Sequence, residues 1–340
     1  MFAVIDSGTT MTRIYIVDQK KNIVASGRAK VGVRDTSITG SRDKLRRGVE
    51  ELFFRVLKEN DIADNDVEFA IASGMITSEV GLIEIPHLVA PVGLKQLTEG
   101  IEKIEDPKVL DIRRPIYFVR GVRNNYPEAK VGALRQVDFM RGEEVQCIGI
   151  MKSKRLTYPC NFVALSSHTK VMHINERQEI AASSTTISGQ LFEAICNSTN
   201  IGKSLVPVEG EEAGGYMDEE LIETAIDCVR HAGLARTMLM PRFMQVLMRT
   251  DGHEREVFMD AAIAADDINA FREMQAQGYR TEHYVLYGHE NRCKMYDYML
   301  KKEFGSQTVV DSIYGKEELD RLTVTGSIAV ALKQIEKMQQ

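Results

Sequence analysis

Cysteine is sparse, and its pattern excludes two common frameworks. The five cysteines (Cys147, Cys160, Cys196, Cys228 and Cys293) are odd in number, widely spaced and without a CxxC pair. That arrangement suits neither a disulfide scaffold nor a zinc site, so reduced thiols, mostly in the core, are expected. Long apolar runs are also missing: no stretch approaches the roughly 18 residues needed to span a bilayer. The N-terminus, MFAVIDSGTT, runs straight into an apolar strand with no basic leader and no cleavage-like site, which predicts a cytoplasmic protein. Positive charge is in deficit, with 43 Lys and Arg against 49 Asp and Glu and a formal net charge of -6. Such a chain attracts neither nucleic acid nor an anionic membrane surface, and no helix-turn-helix arm or basic patch argues otherwise. A small-molecule substrate fits better.

With 340 residues and 44% hydrophobic content, the chain is long for one core, and two domains with a cleft are expected. Residues 2–5 form an apolar run, residues 7–10 a turn of small residues, and residues 12–17 and 23–25 two further runs, which reads as three antiparallel strands. Leu45, Val49, Leu52, Phe53, Val56 and Leu57 then recur at helical spacing after a candidate cap at Ser41, and residues 67–72 read as a strand. A second copy of this opening starts about 160 positions later, where residues 162–170 (FVALSSHTK) lie over residues 2–10 (FAVIDSGTT) and are followed by strand, polar turn and strand. Two such meanders predict two related α/β halves. The later third is helical by pattern: a stripe around Leu221 to Val229, a stretch over 236–248 broken near Pro241, and helices over 254–274, 291–304 and 325–338, with a strand at 283–287. The last helix is expected to pack back on the first domain. The expected division is therefore 1–112, joined by the closing helix 325–340, and 113–324.

Three stretches carry candidate chemistry. In the turn Asp6-Ser7-Gly8-Thr9-Thr10, Gly8 permits close backbone approach, the threonine hydroxyls and amides suit phosphate oxygens, and Asp6 suits a hydrated magnesium ion. A plain hairpin turn uses the same residue types. In the second meander His168, Thr169 and Lys170 occupy the corresponding turn and supply an imidazole, a hydroxyl and an ammonium for a polyphosphate. Asp138, Arg141, Glu143 and Glu144 gather at the expected start of a helix running through Cys147. A carboxylate there could deprotonate a hydroxyl and Arg141 could bind a carboxylate or phosphoryl group, but on these residues alone helix capping is the better account of the acids. The run NSTNIGKS at 197–204 is not a P-loop, since Asn197 stands where its first glycine is needed and helical residues precede it. Gly210, Gly214 and Gly215 read as an acidic linker or a lid.

Taken together, these residues resemble the 2-keto-3-deoxygalactonate kinases (2-dehydro-3-deoxygalactonokinases) of the actin-like sugar-kinase superfamily. The matching runs are DSGTT with Arg13 following, SGMITSEVGLIEIP at 73–86, VDFMRGEEVQ at 137–146, SHTK at 167–170 and ISGQLF at 187–192. Ser7, Leu82 and Val171 stand where the family usually has tryptophan, and Leu165-Ser166 where it has Pro-Gly; this chain has no tryptophan at all. The resemblance implies an α/β, actin-like (ribonuclease H-like) fold of duplicated domains, with mixed central sheets flanked by helices and a cleft between them. It implies ATP and magnesium as cofactors, with Asp6, Gly8, Thr9, Thr10, Arg13, His168, Thr169 and Lys170 on the phosphates, Asp6 on the metal through water, and the adenine near Gly288. Arg141, Met140 and Gly74 would line the sugar acid. Glu143 is the first choice of base, with Glu144 and Asp138 behind it, and Glu84 is not assigned as catalytic. The expected reaction is ATP-dependent phosphorylation of a keto-deoxy sugar acid, with a homodimer left open. A kinase of another aldonic or ketodeoxy acid, or an ATPase or regulator on the same fold, stays open at this point.

Overall fold

The computed structural model describes residues 1–126, 130–206 and 217–338, so the glycine-rich stretch at Gly210, Gly214 and Gly215 lies outside the described residues. Alternating apolar runs and small-residue turns build the opening meander β1 (Phe2–Ser7), β2 (Thr12–Val17) and β3 (Ile23–Ala29). A short helix α1 (Val33–Thr39) follows, then α2 (Asp43–Glu59), in which the hydroxyl of Ser41 accepts the Asp43 amide at 3.2 Å. All six apolar residues of the predicted helical stripe are buried on one face of α2, as a 3.6-residue period requires. The chain continues through β4 (Ala70–Gly74), β5 (Leu88–Val89), α3 (Leu94–Glu99), β6 (Glu102–Ile104), β7 (Ile116–Phe118), β8 (Val122–Arg123), β9 (Phe139–Met140) and α4 (Glu143–Ser153). The main sheet runs β3-β2-β1-β4-β7-β6, and β5-β8-β9 form a small second sheet. β1 pairs in parallel with β4, and β4 with β7, and the central strand β1 is apolar through Ala3, Val4 and Ile5, all fully buried. Strands covered on both faces need such continuous apolar runs.

The second half repeats the pattern with β10 (Cys160–Leu165), β11 (Thr169–Ile174) and β12 (Ile180–Thr186), followed by α5 (Ser188–Ser198) and α6 (Gly202–Leu205). Then come α7 (Glu219–Ala232), capped by Asp218 on the Leu221 amide at 3.0 Å, α8 (Leu234–Thr237), α9 (Met240–Phe243) with Pro241 in its first turn, and a π-helical turn over Met244–Met248. Proline is tolerated only in a first helical turn, which is why the predicted helix over 236–248 is divided there. α10 (Gly252–Ala276) opens on a capping box of Asp251 and Glu254, and β13 (His283–Gly288), α11 (Glu290–Phe304), β14 (Val309–Tyr314) and α12 (Lys316–Met338) complete the chain. The sheet order is β12-β11-β10-β13-β14. Both halves thus place the first strand of a meander beside a parallel fourth strand, β4 or β13. No helix among the described residues is long and apolar enough to cross a membrane.

The chain divides into two units, one of Met1–Leu156, Ile174–Ala182 and Asp320–Gln340, the other of Thr157–His173 and Ser183–Leu319. Residues 113–156 therefore belong with the first unit, where the sequence reading placed them in the second. Two observations account for this: β7 pairs with β4, and α4 crosses α12 closely at two glycines. A Cβ on Gly149 would meet the carbonyl of Leu322, and one on Gly326 the carbonyl of Val145. The closing helix starts at Lys316 rather than 325, and from Asp320 onward it belongs with the first unit. The NSTNIGKS run is the end of α5 and the start of α6, with buried Gly202 packed against the Cys196 carbonyl. Cys147, Cys160 and Cys293 are buried and unbridged, and burial pushes the Cys160 and Cys293 thiols up to about 12.

Candidate functional site

In the first unit, Asp6 stands near the end of β1 opposite Arg13 of β2, and the guanidinium donates to its carboxylate at 3.2 Å. The turn that follows is tied back through its carbonyls. The Val33 and Arg34 amides, at the start of α1, donate to Gly8 and Thr9 oxygens at 3.3 and 2.9 Å, and Gly8 donates to Met11 at 2.9 Å. Gly32 is required behind the turn, since a Cβ there would lie 2.5 Å from the Thr9 carbonyl carbon. With those carbonyls turned toward α1, the consecutive amides of Thr9 and Thr10 have no partner among the described residues. Such a pair is a ready anion-binding concavity. Gly8 has no comparable constraint from the protein: a Cβ there meets only the Met11 carbonyl, at 3.6 Å. Ser7 is buried and exchanges a hydrogen bond with Thr12 at 2.9 Å, so its hydroxyl serves the hairpin.

Gly74 ends β4 in register with Ser7, at φ 91°, and a Cβ on it would lie 2.5 Å from the Ser7 carbonyl oxygen and 3.5 Å from an Asp6 carboxylate oxygen. Its role in the fold is therefore close strand approach. Gly142, at φ 107°, packs on it: a Cβ on Gly142 would meet the Gly74 Cα at 3.3 Å. This contact brings the start of α4 beside the end of β1. Glu143, the first residue of α4, is half-buried, and its charge, with that of Asp320 in α12, adds to the upward push on Asp6. Burial is the largest cause of that rise, and Arg13 opposes it. Tyr15 donates to the Asp320 carboxylate at 2.6 Å. Asp320 and Tyr15 escaped the sequence reading because neither lies near a recognisable motif.

Arg141 is 8% exposed and donates through Nη1 to Thr77 Oγ1 and through Nη2 to the Ile85 carbonyl, both at 2.8 Å. Its Nε is buried without a hydrogen-bond partner among the described residues. Burial works against its charge, while Glu144, Glu79 and Glu84 favour it. Met75–Thr77 form a 3-10 turn, which lets Thr77 reach Arg141. Glu144 is fully buried, and both its carboxylate oxygens accept the Gly142 amide, at 3.0 and 2.8 Å. It thus holds the turn before α4, the capping role that the sequence left open. Asp138 accepts the Phe139 amide at 2.7 Å where β9 begins, and Met140 is buried in β9.

In the second unit the turn is shorter than the sequence overlay implied. Ser166 donates to the His168 carbonyl at 3.1 Å, closing a three-residue turn, and Thr169 and Lys170 are buried in β11. Gly288, at φ 149°, ends β13 in register with Leu165, and a Cβ on it would lie 3.0 Å from the Leu165 carbonyl carbon. Gly288 is thus the counterpart of Gly74, and Leu165 that of Ser7. Across the turn, Thr169 and Lys170 correspond to Thr12 and Arg13, and Ala164 stands where the first unit has Asp6. The overlay was two residues out of step along the first strand and three across the turn, because the apolar run is similar at either alignment and the turn is one residue shorter. As in the first unit, a glycine and a helix start back the turn: a Cβ on Gly189 would lie 2.9 Å from Ser167 Cα, and Gln190 donates to the Ser167 carbonyl at 2.8 Å. Among the described residues no group of three or more His, Cys, Asp or Glu is placed to hold a metal directly.

The comparisons with known proteins fit this geometry. The model of the family described as 2-keto-3-deoxy-galactonokinase matches residues 6–318. No curated protein matches the sequence. Among solved structures, a Sinorhizobium meliloti protein assigned as a 2-dehydro-3-deoxygalactonokinase is similar, with a TM-score of 0.72 at 18% identity, over 98% of this chain and 99% of its own. The activator of the 2-hydroxyisocaproyl-CoA dehydratase from Clostridium difficile, with bound ADPNP, is similar with a TM-score of 0.50 at 10% identity, over 99% of this chain and 96% of its own. At these identities the structural likenesses show the fold, which is the actin-like α/β fold of duplicated halves. With a family match spanning both turns and the Arg141 to Glu144 run, the chain belongs to the 2-keto-3-deoxy-galactonokinase family and is an ATP-dependent sugar-acid kinase.

Proposed function

We propose that the chain transfers the ATP γ-phosphoryl group to a hydroxyl of 2-keto-3-deoxygalactonate, with Glu143 as the base and the Asp6 to Thr10 segment on the phosphates. The observation that carries this reading is the convergence of Asp6, Gly74, Gly142 and Glu143, which sets an anion-binding turn and a half-buried carboxylate side by side. Thr9 and Thr10 amides hold phosphate oxygens, and Gly8 is free of any side chain that would crowd them. His168 and the Ser166 to His168 turn meet phosphate oxygens in this reading, with the adenine near Gly288, whose own Cβ position is filled by the Leu165 backbone. Asp6 is the residue suited to hold magnesium through water, since this ion keeps several waters and needs only one or two carboxylates besides phosphate. When bound, the ion neutralises charge on the phosphates.

The step itself requires positioning more than covalent chemistry. Glu143 accepts the proton of the attacking hydroxyl as the oxygen bonds to the γ-phosphorus and the bond to the ADP oxygen breaks. Glu144 acts indirectly, fixing the Gly142 turn that aims Glu143. Arg141, held on two sides by Thr77 and Ile85, has Nε left to donate to the sugar-acid carboxylate. The cytoplasm suits this activity, since ATP is made there.

Glu143→Gln is expected to lower kcat by about 10²-fold or more, the usual worth of a general base, with little change in ATP affinity measured by calorimetry. Near wild-type turnover would remove the assignment. A panel of ketodeoxy and aldonic acids, assayed for ADP release, tests the acceptor: 2-keto-3-deoxygalactonate is expected to give the highest kcat/KM, and preference for another acid would overturn it.

A further inference from the structure

The turn at Ser166 to His168 is held from behind by a buried polar network that no sequence motif marks. Arg292 of α11 donates through Nη1 to the Ser166 carbonyl at 3.0 Å and through Nη2 to Thr169 Oγ1 and the Tyr296 hydroxyl, both at 3.2 Å. Its Nε lies 3.8 Å from the Asp260 carboxylate, and the guanidinium stands 5.5 Å from the centre of the Tyr296 ring. Tyr296 is fully buried and donates to Asp267, which also accepts the Ser188 hydroxyl at the start of α5. The Ser188 hydroxyl in turn meets that of Thr186, at 2.6 Å. The network thus joins α10, α11, the start of α5 and the first residue of β11.

Its consequence for the turn is directional. The Ser166 carbonyl is taken by Arg292, the Ser167 carbonyl by Gln190, and the His168 carbonyl by the Ser166 amide. The Ser167 amide has no partner among the described residues. With every carbonyl of the three-residue turn engaged, the Ser167 amide is left for an acceptor. In the first unit two backbone amides of α1 tie back the turn carbonyls; here one backbone amide and one guanidinium do so. The Arg292 Nε has only the Asp260 ion pair and no hydrogen-bond partner among the described residues, so the two Nη groups, whose planar fork fixes several acceptors at once, do the holding.

We infer that Arg292, buttressed by Tyr296 and Asp267, is a positioning residue for nucleotide binding: it orients the Ser166 to His168 turn toward the ATP phosphates without touching them. The inference rests on the reading of that turn as a phosphate site. Lysine keeps the charge but cannot span the carbonyl, the Thr169 hydroxyl and the Tyr296 hydroxyl together, and Tyr296→Phe removes one acceptor while keeping the ring.

The experiment is steady-state kinetics on the full chain with each substrate varied in turn, and thermal shift with a non-hydrolysable ATP analogue and magnesium. Arg292→Lys is expected to raise the ATP KM about tenfold, the worth of one charge-assisted hydrogen bond. Sugar-acid KM should stay unchanged, and the analogue should stabilise the variant less than wild type. Tyr296→Phe should do the same to a smaller degree. An unchanged ATP KM in Arg292→Lys, or equal rises in both KM values, would overturn the inference. His168→Ala and Ser167→Pro separate the two levels. If both raise ATP KM while Arg292→Lys does not, only the positioning role falls; if neither does, the turn is no phosphate site and the inference falls with it.

Discussion

Asp6 is under opposite demands. Burial lifts its pKa, the charges of Glu143 and Asp320 add to the rise, and the Arg13 guanidinium only partly offsets it. The folded chain therefore binds this proton more tightly than the unfolded chain does. The sign follows: with respect to Asp6, stability is greatest below the ordinary carboxylate pKa, falls as pH rises through the window up to the raised folded value, and stays low above it. A carboxylate kept where it costs stability is the mark of a functional position. Asp6→Asn is expected to melt at a higher temperature than wild type near pH 7, with the gain vanishing in acid, and to lose about 10²-fold or more in kcat. A lower melting temperature near neutrality would mean that the Arg13 pair outweighs burial. Gly74 is constrained differently, by φ 91° and the neighbouring Ser7 carbonyl. Gly74→Ala should cost about 2–3 kcal/mol in urea unfolding, from backbone strain and overpacking combined, and should lower kcat by moving Gly142 and Glu143.

Among the elements, α4 and α12 matter most, because their crossing sets where Glu143 and Asp320 stand. Gly149 lies against Leu322 and Gly326 against Val145, so each helix presents a glycine to the other's backbone four residues from its own contact point. Gly326→Ala should destabilise by about 1–3 kcal/mol and reduce kcat more than ATP affinity, as unfolding and calorimetry would show; an unperturbed kcat would uncouple the crossing from the site. This contact was illegible in the sequence, where the two glycines are far apart and each helix has only an ordinary apolar pattern. The meanders, α2, α7, α10, α11 and the Pro241 break were legible because periodicity and capping are local signals. β4 began later than predicted, and β14 went unseen, since Val309–Tyr314 is partly polar and largely exposed along an edge. At the candidate site, residue types alone proposed Asp6, the threonine turn and the Arg141 to Glu144 run, and could not separate Glu143 from Glu144, because adjacent residues on a first helical turn differ only in which way the fold points them. Asp320, Tyr15 and Arg292 act through tertiary contacts alone.

At the scale of the whole molecule, the duplication is of backbone rather than of chemistry. Both units end a first strand against a positive-φ glycine, Gly74 or Gly288, and back the next turn with a second glycine whose Cβ position the turn backbone fills, Gly32 or Gly189. Their side chains have diverged at corresponding places: the first unit has the ion pair Asp6 and Arg13, the second Ala164 and Lys170. Under the proposed reading, in which Asp6 is the metal-holding carboxylate, Ala164 of the second unit need not carry one. Ala164 is 3% exposed, so Ala164→Asp buries a new carboxylate and should cost about 2–4 kcal/mol, with Lys170 on the adjacent strand recovering part of it. Asp6→Ala should be inactive, and Asp6→Ala combined with Ala164→Asp should stay inactive, because the carboxylate would then lie on the wrong turn relative to Thr9, Thr10 and Glu143. Phosphoryl transfer measured on the double variant decides the matter. Recovery of activity would show that the two turns are interchangeable and that Asp6 is not tied to the first unit, whereas persistent loss alongside a folded circular-dichroism spectrum is the outcome the asymmetry requires.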